Sequence, residues 1–185
     1  MKTANNRKIK FLTDKEIRQI IDKIGVAKKP RTMRDRAILE TLFSTGLRVH
    51  ELVALPDAPF ISAAGQTLEL SITGKGGWQR VIFFSPQCLK AIKDYQAVRR
   101  DNGLELFPLT VRAVHMIVKR RGEAAGFGWI HPHTIRHSFA TDMLRKGVNL
   151  FDVKEFLGHR SITSTQVYLH ATNPELKNIH TKLYK

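Results

Sequence analysis

Residues 68–84 read Leu68-Glu69-Leu70-Ser71-Ile72-Thr73-Gly74-Lys75-Gly76-Gly77-Trp78-Gln79-Arg80-Val81-Ile82-Phe83-Phe84. Leu68, Leu70 and Ile72 alternate with polar neighbours, a glycine-rich turn follows, and Arg80 to Phe84 resumes an extended pattern. Apolar residues at every second position describe one face of a strand, and a glycine turn between two such runs makes a hairpin. Around this segment the apolar spacing is helical. The chain is therefore expected to be α+β, mostly helical with one small antiparallel β-sheet.

Toward the N-terminus, Thr13 with Glu16 forms a capping-box pattern, and Ile17, Ile20, Ile21 and Ile24 follow as one apolar stripe that Gly25 closes. A basic loop, Lys28-Lys29-Pro30-Arg31, precedes a second helix from Met33, with Ala37, Ile38, Leu42 and Phe43 facing inward and Gly46 at its end. Toward the C-terminus, Ser85-Pro86 supplies an N-cap and a first-turn proline for a helix running toward Arg99-Arg100. Thr110 caps another, carrying Val111, Val114, Ile117 and Val118. Helical readings also suit 134–145, 151–157 and 163–169, with Pro132 leaving His131 in the preceding loop. Asn173-Pro174 opens a last short helix striped by Leu176, Ile179 and Leu183.

The 185 residues include 31 Lys and Arg against 16 Asp and Glu, a formal net charge of +15. With 42% hydrophobic and 25% charged residues, the composition is that of a folded chain rather than a disordered one. No apolar run approaches the roughly 18 residues of a membrane span, and Met1 to Lys10 is a polar, basic arm without a signal peptide's apolar region. The single cysteine, Cys88, excludes a disulfide framework and a Cys-rich zinc module, and suits a reducing cytoplasm. The charge then favours a polyanionic partner. Nucleic acid comes before an anionic membrane, because no stretch reads as a basic amphipathic surface helix.

Four segments place charged or polar groups where packing alone would favour apolar ones: Thr45 to Leu52 (TGLRVHEL), Gly74 to Gly77, His133 to Thr141 (HTIRHSFAT), and Leu157-Gly158-His159-Arg160. His133 and Arg136, three apart on a helix, could meet one small anion: the guanidinium offers a planar fork of donors, and the imidazole moves a proton near neutral pH. Taken alone, such a pair is more often a solvated helix face. Arg48 follows a glycine at a break between helices, where a side chain can be aimed into a cleft, and Tyr168 by itself reads as an amphipathic core tyrosine. The glycines around Lys75 lack the spacing of a nucleotide-binding P-loop. His131, His133 and His137 are crowded, but Thr134 stands where a zinc-protease helix carries its glutamate, so no metal is expected.

In order along the chain, Arg48, Lys75, His133-x-x-Arg136, His159 and Tyr168 resemble the catalytic set of the tyrosine recombinases, the phage-integrase family, in its Xer-like branch. The strings TGLRVHEL, TGKGGWQR, HPHTIRHSFAT and LGHRSITSTQVYLH carry the likeness, which spans about Phe11 to Ile179. The spacings fit too: 23 residues from Arg136 to His159 and nine more to Tyr168.

That resemblance implies a tyrosine-recombinase-like fold and cleavage of double-stranded DNA through a 3′-phosphotyrosyl intermediate, without metal or other cofactor. Tyr168 would be the nucleophile, its ionisation eased by proton removal to His133 or by the charge field of the arginines, and Arg48 and Arg136 would clamp the phosphate. Lys75 would protonate the leaving 5′-oxygen, His159 would donate to a phosphate oxygen, and Glu51 would support Arg48. Arg160 and the Lys119-Arg120-Arg121 run read as DNA-backbone contacts or as solvated surface. Relatives of this type assemble as homo-tetramers on DNA, and the stripe at Leu176, Ile179 and Leu183 could pass to a neighbour or fold back. They also carry a DNA-clamping domain before the catalytic one. Here residues 11–185 read as the catalytic domain alone, behind the arm at 1–10. A DNA-binding accessory module on the same fold and a type IB topoisomerase are the competing functions.

Overall fold

The computed structural model describes residues 10–25, 27, 29–61, 68–74, 77, 79–159, 161–166 and 168. The first helix, α1 (Asp14–Ile24), starts as its sequence dictates. The Thr13 hydroxyl accepts from the Glu16 amide while the Glu16 carboxylate accepts from the Thr13 amide, and Gly25 ends the helix at φ 78°. Its four isoleucines are all buried.

The central helix, α2 (Pro30–Thr45), begins three residues earlier than expected from its apolar spacing. Pro30 occupies the first turn, where its missing N–H is no loss and its fixed φ suits the helix. It packs against α1, β2 (Gln79–Phe84), α5 (Pro86–Gln96), α6 (Val111–Ala124) and α7 (Pro132–Arg145). Being surrounded, it buries polar residues as well as Ala37, Ile38, Leu39 and Leu42. Gly46 ends it in the left-handed conformation at φ 61°, and a Cβ there would lie 2.5 Å from the Phe139 ring, so the backbone passes against α7 only because the residue is glycine.

Two short helices, α3 (Val49–Val53) and α4 (Ala58–Ile61), lead to the sheet. β1 (Leu68–Thr73) pairs antiparallel with β2, Leu68 opposite Phe84 and Ile72 opposite Arg80. Ile82 and Phe84 enter the core, where Phe84 meets the edge of Phe60. Ser85 and Thr110 cap α5 and α6 as expected. α5 stops at Gln96, short of the expected Arg99, whose guanidinium instead pairs with Asp57 and Asp101. Val114, Ile117 and Val118 are buried on α6 while Val111, in its first turn, is exposed. α7 begins at Pro132, and His131 is its N-cap rather than a free loop residue: its Nδ1 accepts from the Thr134 amide. α8 (Leu150–Leu157) and α9 (Thr163–Gln166) complete the described helices. None of these is long and apolar enough to cross a membrane.

The core has two parts. The larger runs from Leu12 to Ile135. The smaller comprises Ala140, Val153, Leu157 and Tyr168, with Phe139, Met143, Leu144 and Val148 against it.

One polar cluster joins α2 to α6. Asp35 is fully buried and its carboxylate accepts from Arg34, Arg120 and Arg121. Arg121 gives two nitrogens to it and Arg120 one, while the Arg120 side chain remains 59% exposed. Lys119 lies near Glu123 and is exposed. Removing one partner of a buried ion pair leaves uncompensated charge, so Asp35→Asn is expected to lower unfolding free energy in urea by about 3 kcal/mol.

Candidate active site

Arg48 is the N-cap of α3, at the break that Gly46 makes after α2. Glu51 binds it twice: one carboxylate oxygen accepts from the Arg48 amide at 2.8 Å, the other from Arg48 Nη1 at 3.3 Å. The same carboxylate receives a two-pronged bond from Arg80 on β2, at 2.9 and 2.8 Å. Although burial opposes ionisation, the bonds from Arg80 and the Arg48 amide lower the Glu51 pKa to about 2. Glu51 is thus bonded to Arg48 and, by the two-pronged pair, to Arg80.

Arg136 projects inward from α7 and is only 2% exposed. Its Nη1 donates to the Gly46 carbonyl and its Nη2 to the Leu157 carbonyl, each at 2.6 Å. The guanidinium thus joins the end of α2 to the end of α8. Desolvation by burial and repulsion from Arg48 lower its pKa to about 9, partly offset by Glu51. Burial and the neighbouring Arg48 thus disfavour the charged form of Arg136, a cost that a nearby negative charge offsets.

Tyr168 lies in the smaller core, 2% exposed, and its hydroxyl is 2.8 Å from His137 Nδ1. Burial raises its pKa above the ordinary 10, against the pull of Arg136 and Arg48. The ring is part of the core, and the oxygen is directed at a polar group. The described contact of the hydroxyl is thus to His137, and His133 packs its ring against His137, centroids 4.2 Å apart. Burial, His133 and Arg136 lower the His137 pKa to about 4, so its ring is neutral at pH 7. Desolvation and Arg136 lower that of His133.

His159 follows the left-handed Gly158 that ends α8, and its Nδ1 is hydrogen-bonded to the buried Thr165 hydroxyl at 2.9 Å. Burial, then Arg136 and Arg48, lower its pKa to about 4. Arg48, His133, Arg136, His159 and Tyr168 are thus electrostatically coupled parts of one cluster, reinforced by Glu51. Lys75, Arg160 and the stripe at Leu176, Ile179 and Leu183 lie outside the described residues, as does the arm at residues 1–9. No group of three or more His, Cys, Asp or Glu among the described residues could hold a metal ion.

Two members of the cluster were not singled out from sequence for these roles, Arg80 and His137. Arg80 carried a signal, since on β2 it shares a face with Ile82 and Phe84, and a cation on the buried side of a strand needs a partner. His137 stands beside Arg136 and four residues from His133. Its partner, 31 residues away, is visible only in the fold.

Chemically, the cluster offers a guanidinium pair that can hold a tetrahedral oxyanion, beside a tyrosine paired to a neutral imidazole. Fold and site together describe a mostly helical domain with a small hairpin, in which two arginines and a buried tyrosine share one cluster. The chain belongs to the phage integrase family, whose model matches residues 10–175. It is 38% identical over 162 residues to the tyrosine recombinase XerC of Pelobacter propionicus, an alignment covering 82% of this chain and 52% of that protein. The chain thus spans about half the length of that relative. The structure of the XerH site-specific recombinase bound to palindromic difH substrate, a post-cleavage complex, matches with a TM-score of 0.80 at 24% identity, covering all of this chain and 56% of that one. The catalytic domain of bacteriophage HP1 integrase matches with a TM-score of 0.59 at 21% identity, covering 94% of each chain.

Proposed function

We propose that this chain is the catalytic domain of a tyrosine-type site-specific recombinase, acting on double-stranded DNA as a homo-tetramer. The observation that carries the proposal is the Tyr168 hydroxyl, bonded to His137 and coupled to the buried Arg136 and to Arg48. The Xer relatives, and the XerH structure bound to its difH substrate, support the same reading.

In the proposed step, the Tyr168 oxygen attacks a DNA phosphorus. A tyrosyl–phosphorus bond forms, the bond to the 5′-oxygen breaks, and the tyrosine proton passes to a base. Ionising an ordinary tyrosine at pH 7 costs about 4 kcal/mol, and burial adds to this cost. His137, neutral and with its proton on Nε2, accepts that proton at Nδ1. Arg48 and Arg136 hold the non-bridging oxygens and take up the charge of the transition state. In the tautomer in which the Thr165 hydroxyl donates to Nδ1 of His159, Nε2–H donates to a phosphate oxygen. His133 buttresses His137, and Lys75, assigned by its motif, protonates the leaving 5′-oxygen.

The test is a duplex nicked beside the cleavage site, which traps the covalent adduct because the short cleaved fragment diffuses away. A protein–DNA band resistant to denaturant is the expected result. DNA binding without that band would contradict the proposal.

The histidines also set a pH dependence. His137 and His159 have folded pKa values near 4, below the ordinary 6.5, so between these values the unfolded chain binds more protons than the folded one. Stability therefore rises with pH across pH 4 to 6.5 and is lost on acidification through that window. Thermal midpoints measured at half-unit pH steps should fall below pH 6.5, and His137→Gln should flatten that fall.

A further inference from the structure

Arg80 is a strand residue whose side chain is 8% exposed, yet it serves neither the hairpin nor the apolar core. Its three guanidinium nitrogens reach two separate parts of the candidate site. Nη1 and Nη2 grip both oxygens of Glu51, and Nε donates to the Phe156 carbonyl at 3.1 Å. Phe156 immediately precedes Leu157, whose own carbonyl accepts from Arg136. Consecutive carbonyls at the end of α8 therefore hold two arginines from opposite sides of the cluster. The chain then turns at Gly158 (φ 62°), where a Cβ would lie 2.9 Å from Arg80 Cδ, and His159 follows. The turn that presents His159 is thus built directly against the Arg80 side chain.

We infer that Arg80 is a positioning residue of the site: its fork holds the Glu51 carboxylate that aims Arg48, and its Nε ties β2 to the end of α8 that seats Arg136 and His159. This deepens the recombinase reading and rests on it. A lysine cannot do the same work, because a point charge offers neither the planar fork nor a nitrogen aimed sideways at a carbonyl. This side chain ties the hairpin to the cluster at two places, beside the Phe83–Phe156 ring contact between β2 and α8. The strand that follows the Lys75 turn and the three residues expected to meet phosphate are thereby kept in register.

The experiment compares single-turnover cleavage of the nicked duplex by the full chain and its variants Arg80→Met, Arg80→Lys, Glu51→Gln and the double variant Arg80→Met/Glu51→Gln. DNA affinity is measured in parallel, and the Glu51 carboxyl is titrated by carbon-13 NMR. The charged groups facing that carboxyl are Arg48, Arg80 and Arg136.

Misplacing the arginine pair by a fraction of an ångström should slow cleavage by Arg80→Met about 100-fold with DNA affinity little changed. Glu51 should titrate well above its wild-type position in that variant, and Arg80→Lys should fall between. Adding Arg80→Met to Glu51→Gln should cost little more, because both act through one carboxylate. Full cleavage by Arg80→Met with an unmoved Glu51 titration would overturn the inference, and so would losses that multiply in the double variant. Should Arg80→Met fail to fold, Arg80→Lys decides on the same readouts. If the wild-type chain forms no adduct, the recombinase reading fails, while the Glu51 titration still reports whether Arg80 holds that carboxylate.

Discussion

Replacing Tyr168 with phenylalanine should abolish the covalent protein–DNA adduct and leave DNA binding intact. The change removes one oxygen. The ring stays in the pocket formed by Ala140, Val153 and Leu157, so the smaller core loses no apolar contact. His137 loses its hydroxyl partner, and its nitrogen then faces a site that is not sealed, since His137 is only partly buried. The stability cost is that of one hydrogen bond, about 1 kcal/mol. The catalytic cost is total, because a phenyl ring has no nucleophile. A denaturing gel with the nicked duplex reads the first effect, and a mobility shift at equal protein concentration reads the second. Residual adduct in this variant would mean that another residue attacks. Loss of binding would mean that the tyrosine shapes the DNA surface.

Replacing Arg136 with methionine should slow cleavage at least about 100-fold while leaving thermal stability nearly unchanged. This dissociation follows from two opposed terms. The guanidinium satisfies the carbonyls of Gly46 and Leu157, and losing those two bonds costs about 2–5 kcal/mol. Against this, holding a cation at a pKa of about 9 instead of 12.5 costs about 5 kcal/mol, through desolvation first and Arg48 second. The terms offset, so the buried charge adds little to the fold. In the proposed function a phosphate oxygen would supply the counter-charge. Inorganic phosphate should therefore raise the melting temperature of the wild-type chain and raise that of Arg136→Met much less, by the linkage of binding to stability. A variant that melts far below wild type yet gains equally from phosphate would show that Arg136 is structural.

The parts of this fold that could be read from the chain are those whose cause is local. The Thr13–Glu16 box, the Ser85-Pro86 start, the Thr110 cap and the strand alternation on either side of Gly74 each depend on residues within a few positions, and all four formed as expected. The beginning of α2 was placed late because its apolar stripe starts at Met33, whereas Pro30 had already set the backbone. α5 ended early because Arg99 was claimed by Asp57 and Asp101, a competition that periodicity does not register.

The site followed the same division. Arg48, Arg136, His159 and Tyr168 were marked by the spacing of motifs, and they converge. How they are held was not visible, because the bonds that hold them cross 21 to 90 residues: Arg136 to Gly46 and Leu157, Arg80 to Glu51, His137 to Tyr168. Arg120 and Arg121 show the same. Within their basic run nothing announces the buried aspartate, more than 80 residues away, to which both are bonded.

The central claim is that one tyrosine oxygen forms the bond to DNA. The chain has three tyrosines, Tyr95, Tyr168 and Tyr184, so peptide mapping of the trapped adduct distinguishes them. After protease and nuclease digestion, mass spectrometry should find the residual nucleotide phosphate on the peptide containing Tyr168 and nowhere else. A phosphate on Tyr95 or Tyr184, or none on any tyrosine while the denaturant-resistant adduct is present, would contradict it.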